Sequence, residues 1–431
     1  MCMTKVFVAV NPGFLGNKGD AAIITGMLNL FEEMRITDVT IASENPEFDS
    51  SRCKARIIRG VFGLSKKQSR LLRILTSALT VFQHVAIASL SKAFHLRTSE
   101  MNVLRKDIWN MYNQADVIVT GLDDSFSTLY GPYGLIDNFS AILLAKLLKK
   151  PTVVLAASVG PFHNVVYQVL AKFIHNKADL IPLREEISYQ YLQKIGVNNT
   201  KMFVTTDLGF NTMPTTINRV KEIMQFESID QNSRPLIGIS VNSIISRWCF
   251  PETNNRKQKY DSFVKMIAGI VDYMVTTFSA TVIFIPHSIG DDAATDDRIV
   301  ATDICRLIKN KKSVRSVKTE YSSEELRGLT GQLDLFIGAR THSIIDAASM
   351  CVPFIALAYP SHKTNGIVGK GLGHDDLICS AEKLNYDLLK SKIDCVWSRK
   401  HEIAKDLKIK IRTVEACIEL ISRLFKEVIN L

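Results

Sequence analysis

The sequence lacks the signals that would assign it to several large classes of protein. Its eight cysteines form no CxxC pair and have no metal-ligand spacing, so we expect reduced thiols and neither a zinc site nor disulfides. No charged region followed by a long apolar run stands near the start, which reads as a first strand and not as an export signal. Internal repeats and low-complexity segments are also missing.

Acidic residues are nearly missing from one segment, 51–106. It holds twelve basic residues against Glu100 alone, a net +11 in a chain whose total is +10. Apolar residues recur there at helical spacing, but polar and basic residues interrupt them, so a transmembrane helix is not expected. Two interpretations stay open: a helix lying on an anionic membrane surface, or an ordinary amphipathic helix packed on its own domain. No recognised motif supports nucleic-acid binding.

The sequence does contain a regular alternation of strand-like and helical patterns. Its 431 residues exceed what one hydrophobic core usually supports, so two domains are expected. Near-continuous apolar strands separated by helices indicate parallel sheets covered on both faces. We therefore predict an α/β fold with two doubly wound, Rossmann-like domains facing across a cleft.

A polar stretch interrupts this alternation and sets the predicted domain boundary. The predicted parts are an N-terminal α/β domain at 1–211 with a basic helical insert at about 51–106, a linker at 212–235, a C-terminal α/β domain at 236–380, and C-terminal helices at 381–431.

Arg340, Thr341 and His342 stand where the apolar run 334–339 gives way to a helical pattern at 343–350. Ligands of open α/β sheets bind at the carboxyl ends of strands, so these side chains are placed for chemistry. An arginine can hold a phosphate or carboxylate through paired hydrogen bonds, and a histidine can move a proton near neutral pH. A lone histidine could equally cap or pack.

Other candidates occupy comparable places in the predicted domains. Gly16, Asn17 and Asp20 belong to a glycine-containing loop after the first strand, which could hold an anion or form a simple tight turn. Arg184 follows a short strand and could bind a phosphate or carboxylate, or pair with a nearby acid. In the second domain His287 follows one strand, and Tyr359 and Lys363 follow another. All stand at predicted strand ends, and Arg184, Arg340, Lys363, His342 and the glycine loop together predict a cationic pocket with a proton carrier.

Eight segments, taken in order, resemble the polysaccharide pyruvyl transferase family over most of residues 5–375. They are "GNKGD" (16–20), "ADVIVTG" (115–121), "SVGPF" (158–162), "LREEIS" (183–188), "TTDLGF" (205–210), "IPH" (285–287), "YSSEEL" (321–326) and "ARTHSIIDAASMCVPFIALAYPSHK" (339–363). The resemblance implies the two-domain architecture of the glycosyltransferase B type. It also implies phosphoenolpyruvate as donor and a pair of saccharide hydroxyls as acceptor, in cell-surface polysaccharide biosynthesis.

The resemblance also implies roles for the candidate residues, with neither metal nor cofactor. His342 would be the general acid and base, while Arg340 and Arg184 would bind the donor and stabilise the departing phosphate. Further donor contacts would come from Thr341, Lys363, Gly16 and Asn17. Acceptor or cleft residues would be Asp20, Asp123, Asp124, His287 and Tyr359.

The turn "GLDDSF" (121–126) departs from the glycine-rich turn that is common in the family. Asp123 and Asp124 would repel a trianionic donor, which favours acceptor contact. A lipid-linked acceptor would explain the basic segment 51–106 and place the protein in the cytoplasm, at the inner face of the membrane. The alternatives are a nucleotide-sugar-dependent glycosyltransferase of the same architecture and a non-catalytic saccharide-binding protein.

Overall fold

The computed structural model describes residues 4–10, 15–61, 70–94, 103–127, 133–162, 164–292 and 294–430. The chain divides into two compact units. The first comprises Met1–Leu15, Ile23–Asn211 and Ala416–Leu431, and the second comprises Gly16–Ala22 and Thr212–Glu415. The predicted boundaries had kept 16–22 in the first domain and 381–431 as separate helices, so both segments are grouped differently here.

The first unit contains a seven-stranded parallel sheet in the order β3-β2-β1-β4-β5-β6-β7. Its strands are β1 (Lys5–Val8), β2 (Asp38–Ser43), β3 (Arg56–Arg59), β4 (Val117–Phe126), β5 (Thr152–Val159), β6 (Ile181–Leu183) and β7 (Met202–Val204). The helices up to β7 are α1 (Lys18–Glu33), α2 (Pro46–Asp49), α3 (Arg70–Phe94), α4 (Lys106–Gln114), α5 (Tyr133–Leu147), α6 (Val165–Lys177) and α7 (Glu186–Lys194). The strand order reverses between β1 and β4, as in doubly wound folds.

The second unit contains a six-stranded parallel sheet in the order β10-β9-β8-β11-β12-β13. Its strands are β8 (Leu236–Ser240), β9 (Thr281–Phe284), β10 (Val314–Ser316), β11 (Leu335–Gly338), β12 (Phe354–Ala358) and β13 (Ile378–Ser380). The remaining helices are α8 (Ile217–Phe226), α9 (Arg256–Phe278), α10 (Asp297–Leu307), α11 (Ser323–Thr330), α12 (Thr341–Ser349), α13 (His362–Thr364), α14 (Tyr386–Ser398) and α15 (Lys400–Ile429). The order reverses between β8 and β11.

Polar side chains fix where several helices begin. Ser322 and Glu325 form a reciprocal capping box at the start of α11, and Asp296 accepts a backbone hydrogen bond at the start of α10. Such contacts satisfy N–H groups that have no partner within the helix. Each of these two helices follows a loop at the carboxyl end of a strand, 285–296 after β9 and 317–322 after β10, and such loops can carry functional side chains.

The predicted α/β class with two doubly wound sheets is confirmed. Three short strands, β3, β10 and β13, were not predicted, and each lies at the edge of its sheet. Their sequences, such as "RIIR" and "VRS", carry charged or polar residues because an edge strand is only partly covered. The predicted helical insert is observed as α3, while 62–69 and 95–102 lie outside the described residues. No helix in the described ranges is long and apolar enough to cross a membrane.

Candidate functional site

The carboxyl edge of the second sheet carries the predicted Arg-x-His segment. Arg340 follows β11 at the point where the strand order reverses, and α12 begins at the next residue. The turn is tight, since the Ser343 hydroxyl donates to the Arg340 carbonyl oxygen at 2.7 Å. A side chain on Gly338 would collide with Ser343 and Ile344, so glycine permits the helix to start this close to the strand. Crevices for ligands open at such reversal points.

Asp297, at the start of α10, holds one edge of the Arg340 guanidinium. Nε donates to Oδ2 and Nη2 donates to Oδ1, each at 2.8 Å. The same carboxylate accepts the backbone N–H of His287 at 3.0 Å. Asp297 is buried, but 16% of the Arg340 side chain is exposed, and no described residue accepts a hydrogen bond from its Nη1. One edge of the guanidinium is therefore fixed and the other is open.

The surroundings of Arg340 keep it positively charged. Burial by itself would lower the pKa of the guanidinium, but Asp297 raises it, with smaller contributions from Tyr359 and Asp20, and the net shift is upward. Tyr359 stacks on Trp248 with ring centroids 5.0 Å apart. The site thus combines a permanent cation with a half-buried aromatic pair.

The predicted glycine loop packs within this second unit. The backbone N–H of Ile289 donates to the Gly16 carbonyl at 2.9 Å, and the N–H of Lys18 donates to the His287 carbonyl at 2.8 Å. Asn17 pairs with the same loop and also accepts the N–H of residue 19 through its side chain. These contacts bring the loop and the carboxyl end of β9 together.

Gly19 lies directly against the imidazole of His342. A Cβ at this position would overlap the ring at Nδ1, so only glycine allows the contact. His342 and Asp20 are both buried, with 5% of each residue exposed. Glycine is therefore needed where the start of α1 approaches His342, and no pattern in the sequence indicates this contact.

Thr341 and Thr364 join the start of α12 to α13. Their hydroxyl oxygens lie 2.7 Å apart and both residues are buried. Lys363, the neighbour of Thr364, is only 7% exposed. Since β11 and β12 are adjacent, the predicted Lys363 does lie on the same sheet edge as Arg340.

The side chain of His287 faces an internal ion pair. Its Nε2 lies 3.3 Å from Asp346 Oδ2, and Arg327 Nε donates to Asp346 Oδ1 at 2.8 Å. Burial would raise the pKa of Asp346, but Arg327 and His287 lower it and their effect is larger. The side chain of His287 therefore stabilises α12 through its contact with Asp346. Its backbone N–H donates to Asp297.

In the first unit, Arg184 lies among three carboxylates. Nη1 donates to Asp123 at 3.0 Å and to Asp207 at 2.8 Å, Nη2 donates to Asp124 at 2.6 Å, and Nε donates to Ser158 at 2.8 Å. The guanidinium is fully buried. Burial by itself would lower its pKa, but the three aspartates raise the pKa by more, so the net shift is upward. Of the two interpretations of Arg184, pairing with nearby acids is the one observed. Its N–H groups point to protein oxygens and not to an open surface.

The candidate residues thus divide into two groups. The second unit contains Gly16, Asn17, Asp20, His287, Arg340, Thr341, His342, Tyr359 and Lys363, and the first contains Arg184, Asp123 and Asp124. Asp297 was missed, because four aspartates follow β9 at 291–297 and only the fold shows which one meets Arg340.

In the described part of the chain no cluster of His, Cys, Asp or Glu has a geometry that could hold a metal ion.

Comparisons with known sequences agree with the segments that carry the site. Residues 17–362 match the sequence profile of the family described as polysaccharide pyruvyl transferase. The amylovoran biosynthesis protein AmsJ of Erwinia amylovora is 24% identical over 396 residues, which cover 91% of this chain and 92% of AmsJ.

Solved structures share the fold at low sequence identity. UDP-GlcNAc 2-epimerase from Neisseria meningitidis, bound to UDP-GlcNAc, superposes with a TM-score of 0.60 at 13% identity and covers 99% of both chains. MnaA of S. aureus, in a structure with UDP, gives a TM-score of 0.59 at 12% identity and covers 100% of this chain and 98% of its own. The predicted glycosyltransferase B type of architecture is confirmed.

Proposed function

The chain belongs to the polysaccharide pyruvyl transferase family, and we propose that it transfers the enolpyruvyl-derived group of phosphoenolpyruvate to a saccharide as a pyruvate ketal. The family and its relative AmsJ support a transferase of polysaccharide biosynthesis. We further propose a lipid-linked acceptor, a cytoplasmic site of action and no cofactor besides the donor substrate. The observation that carries the proposal is the open edge of Arg340, two residues before His342, at the carboxyl edge of the second sheet.

Phosphoenolpyruvate is a small, multiply charged anion, and the second unit offers it several complementary groups. The open Nη1 edge of Arg340 donates to a carboxylate or phosphate oxygen. Lys363 lies on the same sheet edge, and Thr341 begins a helix whose first N–H groups favour an anion. Gly16 and Asn17 complete the donor contacts. Arg184 is already engaged by three carboxylates, so we assign it to ordering those aspartates.

The reaction balances with two protons taken from the acceptor. Two saccharide hydroxyl oxygens form bonds to C2 of the donor, and the bond from C2 to the phosphate oxygen breaks. One hydroxyl proton ends on the methylene carbon, which becomes a methyl group, and the other leaves with phosphate. His342 is the proton carrier, since an imidazole can give a proton to the methylene carbon and accept one from a hydroxyl. Arg340 stabilises the charge on the departing phosphate.

Several polar side chains suit the acceptor. Asp123 and Asp124 keep 15% and 12% of their side chains exposed, and Arg184 offsets part of their charge. Carboxylates of this kind accept hydrogen bonds from sugar hydroxyls, and Asp20 remains a candidate for the same role, whereas His287 is buried against Asp346 and acts on the site only through its neighbours. The ring of Tyr359, stacked on a tryptophan, presents an amphipathic surface to a sugar.

The test is a donor and acceptor assay with the full chain. Phosphate release should require both phosphoenolpyruvate and a saccharide extract, and mass spectrometry should find the saccharide carrying one pyruvate ketal. Arg340→Ala should slow release about 10²–10³-fold, and Arg256→Ala, which alters an exposed arginine on α9, should leave it unchanged. Turnover of a UDP-sugar without phosphoenolpyruvate would replace the proposal with glycosyl transfer. Turnover of neither donor would favour a binding protein.

A further inference from the structure

Helix α3 buries polar side chains and exposes large apolar ones, which is the reverse of an ordinary surface helix. The described residues that it buries most fully are polar or small: Ser77, Thr80, His84, Ala88 and Ser91. Amphipathic helices of globular proteins normally bury their large apolar side chains and expose polar ones. In α3 the polar face is turned toward the domain.

Contacts with the domain fix this orientation. The Ser77 hydroxyl donates to the Val61 carbonyl at 2.8 Å, and His84 Nε2 lies 2.7 Å from the Leu104 carbonyl oxygen. The His84 ring also packs on Trp109, with centroids 5.0 Å apart. Turning the helix over would remove these hydrogen bonds and leave the Val61 and Leu104 carbonyl oxygens without these partners. The outward direction of the opposite face is therefore built into the fold.

That outward face is a row of large apolar side chains. Its members, with their exposed fractions, are Leu75 (59%), Leu79 (56%), Phe82 (72%), Leu90 (52%) and Phe94 (69%). They recur at helical spacing and extend over about 28 Å of helix at the usual rise per residue. An exposed apolar surface this long marks an interaction site.

Two neighbouring helices also expose large apolar side chains. Helix α5 packs on both α3 and α6. The exposed apolar side chains of α5 and α6 are Tyr133 (43%), Ile136 (39%), Val165 (70%), Val166 (60%), Val169 (59%) and Phe173 (45%). Three adjacent helices of the first unit thus expose large apolar groups, and we call this surface the apolar face.

The charge of the same segment indicates what covers the apolar face. Residues 66–97 contain six lysines and arginines and no aspartate or glutamate, and α6 contains two lysines and no acidic residue. Two copies of this chain would bring like charges together, so the charge disfavours self-association. A bilayer with anionic headgroups supplies both an apolar interior and the opposite charge.

We propose that the apolar face docks on the surface of an anionic membrane, with α3 lying parallel to it. Leucine and phenylalanine side chains of α3 enter the boundary between headgroups and acyl chains, and the positive charge of the sequence 66–97 is attracted to lipid phosphates. This inference goes beyond the proposed reaction, and binding to vesicles tests it without any turnover.

The experiment compares vesicles of phosphatidylcholine with vesicles that also contain phosphatidylserine. The full chain should co-sediment with the anionic vesicles at low salt, and added salt should weaken binding because it screens the charges. The double substitution Leu79→Gln and Phe82→Gln should lower the partition coefficient at least about tenfold, since two large apolar groups no longer leave water. The matched control is Ile217→Gln with Phe226→Gln, two exposed apolar residues of α8.

Several outcomes would overturn the proposal. One is that folded protein fails to bind anionic vesicles at low salt. Another is that the α8 control loses as much vesicle binding as the α3 variant. A concentration-dependent dimer that Leu79→Gln and Phe82→Gln dissolves would assign the face to self-association instead. Phosphate release with a water-soluble acceptor should be unchanged in this variant. Failure of membrane docking is thereby separated from failure of the proposed reaction.

Discussion

Arg184 and Arg340 occupy similar places in the two units but have very different surroundings. Each follows a parallel strand at its carboxyl end and precedes a helix. Arg184 is fully buried against three carboxylates, whereas Arg340 has one carboxylate partner and keeps 16% of its side chain exposed. The first cluster carries a net charge of about −2 and the second pair is neutral, counting each group in its ordinary ionisation state.

The difference shows that position at a strand end does not by itself make an arginine a ligand-binding group. What matters is how many of its N–H groups the protein has already used. In Arg184 the protein acceptors surround the guanidinium, which suits the ordering of Asp123 and Asp124. In Arg340 a single bidentate partner fixes the plane of the fork and leaves one edge for an anion.

Replacement of Arg184 should have the largest effect on stability. Arg184→Met leaves three carboxylates facing each other without their cation, and loss of one partner of a buried ion pair costs about 3–5 kcal/mol. Urea unfolding followed by circular dichroism measures the change, with Arg256→Met as the exposed control. A variant as stable as the parent would show that solvent or protonation already neutralises these aspartates.

Replacement of Arg340 should instead act on the reaction. Arg340→Ala removes the open guanidinium edge, and we expect kcat/KM for phosphoenolpyruvate to fall about 10²–10³-fold. Calorimetry with the donor should show the loss directly. If Arg340→Ala still bound the donor and folded Arg184→Met did not, the donor site would belong to the first unit. Arg184, and not Arg340, would then be the donor-binding arginine.

Mild acid should destabilise the first unit through His175. This histidine is fully buried, and burial lowers its pKa from 6.5 to about 4, while a hydrogen bond to the Ala171 carbonyl opposes that shift. A depressed histidine pKa stabilises the fold above pH 6.5 and loses that contribution as the pH falls toward 4. We expect a loss of about 2 kcal/mol in the free energy of unfolding between pH 7 and pH 5. Urea midpoints at the two pH values measure it, and His175→Gln should show a smaller difference.

Asp297 should have a smaller effect on catalysis as a positioning residue. Asp297→Asn keeps the shape but weakens the bidentate contact that orients Arg340, so we expect kcat/KM to fall about tenfold. A rise in KM for phosphoenolpyruvate with little change in acceptor KM would distinguish misplacement of Arg340 from general loss of structure. Recovery of activity in Asp297→Glu would support the same role. An unchanged KM for the donor in Asp297→Asn would exclude it.

Part of the site was predictable because its signals are local. The apolar run before Arg340 and the small-residue helix after it predicted a strand, a turn and a helix, and the structure has β11 and α12 there. The strand that leads to Lys363, β12, was correctly predicted to neighbour β11. The partners of these residues were not predictable, since Asp297 is 43 residues from Arg340 and Asp123 is 61 residues from Arg184.

The sequence by itself determined the α/β class, the number of sheets and the residues that stand at strand ends. Hydrophobic periodicity records these features, because each strand or helix must bury its own apolar residues. Only the tertiary structure decided which arginine keeps an open edge, which aspartate holds it, why Gly19 must be a glycine, and which face of α3 points outward. These properties depend on side chains brought together from distant parts of the chain, and on polar groups whose partners decide which face of a helix is buried.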